Sequence, residues 1–331
     1  MGAVQGVEVA GTGFYVPAQV VTNEDYEERY GVSADWILQV SGIKARRLAA
    51  PSQACTDLAI PAAQRALAHA RMAADELDLV ILATVGSDYV TPPGACMIQG
   101  ALKATHAAAF DVDCACTGFV WSLHIGALYL AQGIYQNALV IGSEVPSRAL
   151  NYKDPNTFIL MGDGAGACVL RRREGAPGIL AQYFHSDGAR WDAATIQGGG
   201  TRHPNPLEID RSEIEKLYFK MDGQKIFKFG VLSLNESIDE LLKRSGLGPE
   251  DIDLVIPHQA NLRILDLALR RSRIPPERFF TNLEEYGNAA SASVAIALAD
   301  ADQAGRIKRG DRVILVGFGA GLSWGGLLLE W

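Results

Sequence analysis

Short continuous apolar runs alternate along this chain with longer segments whose apolar positions recur every three or four residues. The runs LVILA (79–83) and ALVI (138–141) lack the polar alternation of a half-exposed strand. They therefore read as strands covered on both faces. Strand-like runs at 7–10, 107–112 and 166–170 join them, separated by helical patterns at 57–70 and 118–132. The same alternation returns later, with strands near 254–256, 312–316 and 326–330 and helices near 230–245, 261–272 and 290–304. Such a sequence of elements predicts α/β layers around mostly parallel sheets. Its recurrence predicts two similar halves. The segment RRREGAPG breaks the pattern with charge, glycine and proline, which places a boundary near 173–178 and divides the chain into 1–173 and 174–331.

Composition fits an ordinary soluble enzyme. The chain has 331 residues, 48% hydrophobic and 21% charged, enough for two domains of about 150 residues each. No apolar stretch reaches the roughly 18 residues that a membrane span requires. The opening MGAVQGVEVAGTG has no basic region followed by an apolar core, so no signal peptide is expected. Five cysteines at irregular spacing, Cys55, Cys96, Cys114, Cys116 and Cys168, do not make a disulfide framework and point to a reducing cytoplasm. A net charge of -8 and the lack of a basic tail argue against a nucleic-acid partner. The pair Cys114 and Cys116 has no CxxC or histidine-rich partner, so no metal is expected.

Candidate chemistry centres on CACTGF, residues 114–119, which lies between a strand-like run and a helical one. A lone cysteine in an apolar run is ordinarily a small buried hydrophobe. At the mouth of a helix, however, backbone N–H groups and the helix dipole favour the thiolate, which makes Cys116 a candidate nucleophile. Two distant segments strengthen that reading. DLVIPHQANLRI (253–264) delivers His258 and Asn261 to the start of a helix, and EYGNAASASV (285–294) uses Gly287 for a tight turn that sets Asn288 at the entrance of another. Cys, His and Asn thus occupy equivalent strand-to-helix junctions, where open α/β sheets bind ligands. A Cys/His/Asn hydrolase could use the same side chains, but it leaves the GN turn and a later GFGAG block unexplained.

Seven ordered blocks carry a resemblance: GTGFYVP near the start, DWILQVSGI (35–43), the cysteine motif, MGDGAGACVL (161–170), PHQANLRI, YGNAASASV and GFGAGLSWG (317–325). Together they make the chain similar, nearly end to end, to the β-ketoacyl-acyl-carrier-protein synthase III family of thiolase-like condensing enzymes. The resemblance implies a five-layered αβαβα fold of two similar halves, with Cys from one half and His and Asn from the other. It implies that Cys116 takes an acyl group from a thioester and that His258 and Asn288 steady the enolate formed when a malonyl thioester loses carbon dioxide. The backbone N–H groups of Cys116 and Ala320 would form the oxyanion hole.

Trp36, Thr91, Phe318 and Asn261 fall at substrate-binding positions by the same resemblance, with Asn261 orienting its loop. Lys228, Arg263, Arg270 and Arg271 map onto a docking surface for an acidic acyl carrier protein, with Lys225 and Arg273 nearby. No cofactor is implied beyond the acyl-coenzyme A or acyl-carrier substrate, and a homodimer is implied. Two departures alter the picture. Val40 and Pro155 stand where the family holds the nucleotide of coenzyme A with arginines, so the donor reads as a carrier protein or a differently bound coenzyme A ester. Thr91 replaces a bulky aromatic that closes the acyl pocket across the dimer, which suggests room for a longer or branched primer. A related acyltransferase that passes the acyl group to an alcohol or amine stays open as the alternative.

Overall fold

The computed structural model describes residues 3–203 and 211–331. Its first sheet is built from β1 (Val7–Tyr15), β2 (Leu79–Ala83), β3 (Ala108–Val112), β4 (Asn137–Glu144) and β5 (Gly164–Arg172). The spatial order is β1-β5-β4-β2-β3, with β3, β2 and β4 parallel and β5 antiparallel to both its neighbours, β4 and β1. A second sheet holds β6 (Ile179–Ser186), β7 (Leu254–Pro257), β8 (Arg312–Gly319) and β9 (Ser323–Glu330). Its order is β7-β8-β9-β6, with only β7 and β8 parallel. Every strand of the first sheet thus precedes every strand of the second.

The principal helices are α1 (Ala34–Ser41), α2 (Cys55–Ala70), α3 (Gly94–Leu102), α4 (Gly118–Ala131), α5 (Gly223–Ser245), α6 (Leu262–Ser272) and α7 (Ala292–Gln303). Side-chain alternation in the strands explains how they stack. Leu79 and Ile81 of β2 pack inward with Phe119 and Leu123 of α4, Leu298 of α7, and Val313 and Leu315 of β8. Val80 and Leu82 turn the other way, onto α2 and α3 through Leu58, Ala62 and Ile98. Ile314 and Val316 of β8 likewise face α5 and α6 through Leu234, Ile238 and Leu265. The result is the five-layered αβαβα order that the resemblance implies. Every residue of α7 from Ala292 to Ala299 is buried, as a helix apolar on all sides must be. Each fully buried Leu, Ile or Val is worth about 1.5–3 kcal/mol, so the central layer is a large part of what holds the sheets together. Among the described residues no helix is long and apolar enough to cross a membrane.

Differences from the pattern-based reading have local causes. The first strand continues to Tyr15 because Gly11 and Gly13, which carry no hydrophobic signal, lie directly under α2. A Cβ on Gly11 would stand 2.4 Å from the Ala70 nitrogen. The third helix of the second half begins at Ala292 rather than at 290, because Ala290 has a left-handed φ of 45° and belongs to the preceding turn. β6 alternates apolar residues with Gln182 and the exposed His185 as the edge strand of its sheet, and its polar positions hid it. Helix α5 starts seven residues earlier than the pattern indicated, at Gly223, capped by Asp222, whose side chain accepts from the Lys225 nitrogen.

Candidate functional site

The chain leaves β3 through Asp113 and Cys114 and turns sharply at Ala115, whose φ of 46° is unusual for a residue with a Cβ. Cys116 follows in a 3-10 turn, Ala115–Thr117, immediately before α4. This turn is held from both sides. Thr117 Oγ1 donates to the Cys114 carbonyl at 2.7 Å and lies 3.0 Å from Ser323 Oγ on β9. From the end of β8, Gly319 presses so closely that a Cβ there would come within 2.8 Å of the Cys116 nitrogen. Ala320 follows in the same loop. Among the described residues neither the Cys116 nor the Ala320 backbone N–H donates to a protein acceptor.

His258 leaves the end of β7 with its backbone N–H on the Val316 carbonyl at 2.8 Å. Its ring is 1% exposed, packs edge-on against Phe318 at 5.5 Å, and meets Ser293 Oγ through Nδ1 at 2.5 Å. Burial drives its pKa down to about 3, so the imidazole is neutral. Asn288 is fixed along its backbone, donating to the Leu160 carbonyl at 2.8 Å and accepting from Gly162 at 3.0 Å. The buried Arg46 guanidinium holds the neighbouring Ile159 carbonyl at 2.6 Å and so props the same segment. Asn288 Oδ1 accepts from the Ala290 nitrogen at 2.9 Å, which leaves the amide NH2 as a donor.

Cys116, His258, Asn288, Phe318 and Ala320 line one cavity of about 920 Å3, with Trp36 and Asn261 also on its wall. Asn261 caps α6 by accepting from the Arg263 nitrogen at 2.9 Å and donates to the Val40 carbonyl at 3.0 Å, tying α6 to α1. Thr91 is not on the wall; it lies exposed in a loop beside Tyr89 and Val90. Lys228, Arg263, Arg270 and Arg271 are exposed on α5 and α6, and Arg263 Nε donates to the Gln39 carbonyl at 2.9 Å. Among the described residues no cluster of His, Cys, Asp or Glu is arranged to hold a metal ion.

Two groups shape the electrostatics of the site. Burial, then the nearby Glu144, push the Cys116 thiol up to about 12, against the pull of the helix terminus toward the thiolate. Cys116 is half-buried and lines the cavity. Glu144 itself escaped the sequence reading. It ends β4 and is 1% exposed, accepting from Val85 N at 3.0 Å and Ser291 Oγ at 2.7 Å. Burial raises its pKa to about 7. The signal available was a single carboxylate closing the otherwise uncharged strand NALVIGSE.

Comparison with known proteins agrees with this geometry. The family profile described as 3-oxoacyl-[acyl-carrier-protein (ACP)] synthase III matches residues 110–188, and its C-terminal counterpart matches residues 242–331. A β-ketoacyl-[acyl-carrier-protein] synthase III from Caldanaerobacter subterraneus is 44% identical over 323 residues, covering 98% of this chain and 97% of the relative. The solved 3-oxoacyl-[acyl-carrier-protein] synthase III of Aquifex aeolicus superposes with a TM-score of 0.90 at 39% identity, covering 98% of this chain and 100% of the other. The priming β-ketosynthase of the R1128 polyketide pathway gives 0.93 at 32% identity, covering 100% and 98%. With the relatives matched over almost their whole length, the chain belongs to the 3-oxoacyl-acyl-carrier-protein synthase III family and is an acyl-transferring condensing enzyme.

Proposed function

We propose that the enzyme loads an acyl primer onto Cys116 and condenses it with a malonyl group carried on acyl carrier protein. The observation that carries this reading is the convergence of a thiol, an imidazole, a carboxamide and two unpaired backbone donors on one cavity. Cys116 Sγ attacks the donor thioester carbonyl, the donor C–S bond breaks, and the departing thiolate takes the proton that the cysteine loses. Negative charge on the carbonyl oxygen is met by the N–H groups of Cys116 and Ala320. The malonyl thioester then breaks its bond to the carboxylate and releases carbon dioxide. Its enolate oxygen is met by His258 and the Asn288 amide NH2. The enolate carbon attacks the acyl carbonyl, the bond to Cys116 breaks, and the cysteine recovers a proton from water.

A neutral His258 suits this role, because the step asks it to donate a hydrogen bond rather than to hold a proton. Carrier docking is proposed for Lys228, Arg263, Arg270 and Arg271, exposed cations on a chain whose net charge is -8. Trp36, 38% exposed beside the cavity, suits stacking on a donor's adenine, whereas Val40 and Pro155 offer that nucleotide no charge. A homodimer is supported by the exposed apolar loop in which Val90 is 99% exposed. Thr91, two positions beyond Tyr89, would then meet the partner's cavity and admit a longer or branched primer. Five unpaired cysteines support a cytoplasmic setting.

Intact mass spectrometry after exposure to a panel of acyl thioesters tests the first step directly. The wild type gains one acyl mass and releases carbon dioxide on addition of malonyl carrier protein, and Cys116→Ala gains none. A loaded Cys116→Ala protein would contradict the assignment. For docking, Arg270→Glu is cleaner than a change at Arg263, which also anchors the Gln39 carbonyl. It is expected to raise KM for the malonyl carrier about tenfold while Cys116 acylation by a small thioester stays unchanged; equal losses in both assays would refute docking there.

The buried carboxyl gives a pH prediction. Glu144 is neutral below its pKa of about 7 and charged above it, so its opposition to a Cys116 thiolate exists only on the alkaline side. Iodoacetamide labelling, followed at the Cys116 peptide, should proceed equally in wild type and Glu144→Gln below pH about 6 and several-fold faster in the variant above pH about 8. A constant ratio across that range would contradict the coupling.

A further inference from the structure

We propose that Ser323 is a positioning residue of the oxyanion hole: its hydroxyl, shared between the Ala320 carbonyl and Thr117 Oγ1, sets the spacing between the Ala320 and Cys116 N–H groups. The two donors come from different halves of the chain, on loops that no backbone hydrogen bond joins among the described residues. What does join them is the contact of Thr117 Oγ1 with Ser323 Oγ at 3.0 Å. Ala320 sits at the tip of a tight hairpin. Gly319 and Ser323 are the last paired residues of β8 and β9, so the loop between them is Ala320–Leu322. Leu322 exchanges two backbone hydrogen bonds with Asp187, at 3.0 and 2.8 Å, which fixes the far side of the loop. Gly321, at a φ of 134°, gives the near side no restraint of its own. The Ser323 hydroxyl supplies it, donating at 3.2 Å to the Ala320 carbonyl, which no backbone N–H reaches among the described residues.

The two hydroxyl protons are enough for this arrangement. Thr117 Oγ1 donates to the Cys114 carbonyl at 2.7 Å, beside its own backbone N–H at 3.1 Å, and so braces the turn that carries Cys116. The Ser323 proton then faces the Ala320 carbonyl and Thr117 Oγ1 together. Were the Thr117 proton turned to Ser323 instead, Ser323 would give its own wholly to Ala320, so both arrangements tie Ser323 to each loop. Ser323 is 8% exposed and Thr117 is fully buried, which shields the pair from water. The inference deepens the loading step proposed above, in which the Cys116 and Ala320 N–H groups meet the thioester oxygen. That oxygen becomes negative only as the sulfur attacks, so a hole whose spacing drifts loses kcat rather than KM.

Acylation and alkylation of the same sulfur separate the hole from the thiol. Attack on a thioester puts charge on an oxygen, whereas displacement of iodide from iodoacetamide does not. Ser323→Ala should lower the rate of Cys116 acylation at saturating donor about tenfold, the worth of one hydrogen bond, while KM for the donor and the rate of iodoacetamide labelling change little. The infrared carbonyl stretch of the 13C-labelled acyl enzyme should move to higher wavenumber in this variant as the donors recede. Ser323→Thr, which keeps the hydroxyl, should restore both the rate and the spectrum. Equal acylation by wild type and Ser323→Ala, or equal losses in acylation and alkylation, would overturn the proposal. If Ser323→Ala does not fold, Thr117→Val removes the other hydroxyl and must give the same split between the two reactions. A wild type that gains no acyl mass from any thioester would instead overturn the loading reading, and this inference with it.

Discussion

The contact between the backbone at Gly319 and the turn at Cys116 is the constraint on which the rest depends. One strand belongs to each sheet, and the two loops approach so closely that any side chain at 319 would strike the Cys116 backbone. The approach is possible because both sheets pack on the same middle layer, α4 and α7, which fixes the ends of β3, β7 and β8 relative to one another. Thr117 and Ser323 then pin the two loops with a side-chain contact. A nucleophile from the first half and donors from the second are thereby brought to one cavity.

Around the reacting atoms the site offers dipoles, with the charged side chains Asp88, Asp113 and Arg148 elsewhere on the cavity wall. Burial holds Cys116 as a thiol, His258 as a neutral ring and Glu144 near neutrality, and Asn288 contributes an amide. In a medium of low dielectric, fixed N–H groups stabilise a charge that develops on oxygen far better than water-exposed ones do. A cavity of neutral donors responds mainly when the oxygen becomes negative, which is the shared requirement of thioester attack and of enolate formation.

Much of this was legible in the amino-acid sequence, and the limits have physical causes. Strands covered on both faces, such as Leu79–Ala83, announce themselves because each residue must be apolar. The motifs around Cys116, His258 and Asn288 were visible because they punctuate those patterns with Gly, Pro and polar residues. Glycine-lined contact is harder to see: β1 beyond Ala10 is a strand because α2 lies on it, and glycine itself votes for nothing. Burial and Glu144, which push the Cys116 thiol up, come from chain far from the motif and leave no mark in its local sequence. Ser293 carries no sequence signal at all, being one small residue among several until His258, 35 positions earlier, is brought against it.

The central claim is that His258 and Asn288 act on the enolate and not on the loading of Cys116. Carbon dioxide release from malonyl carrier protein by a Cys116→Ala enzyme isolates that step, because no acyl group can be loaded. The account predicts that release persists in Cys116→Ala and falls about a hundredfold when Asn288→Ala is added. Equal release by the single and double variants would contradict it.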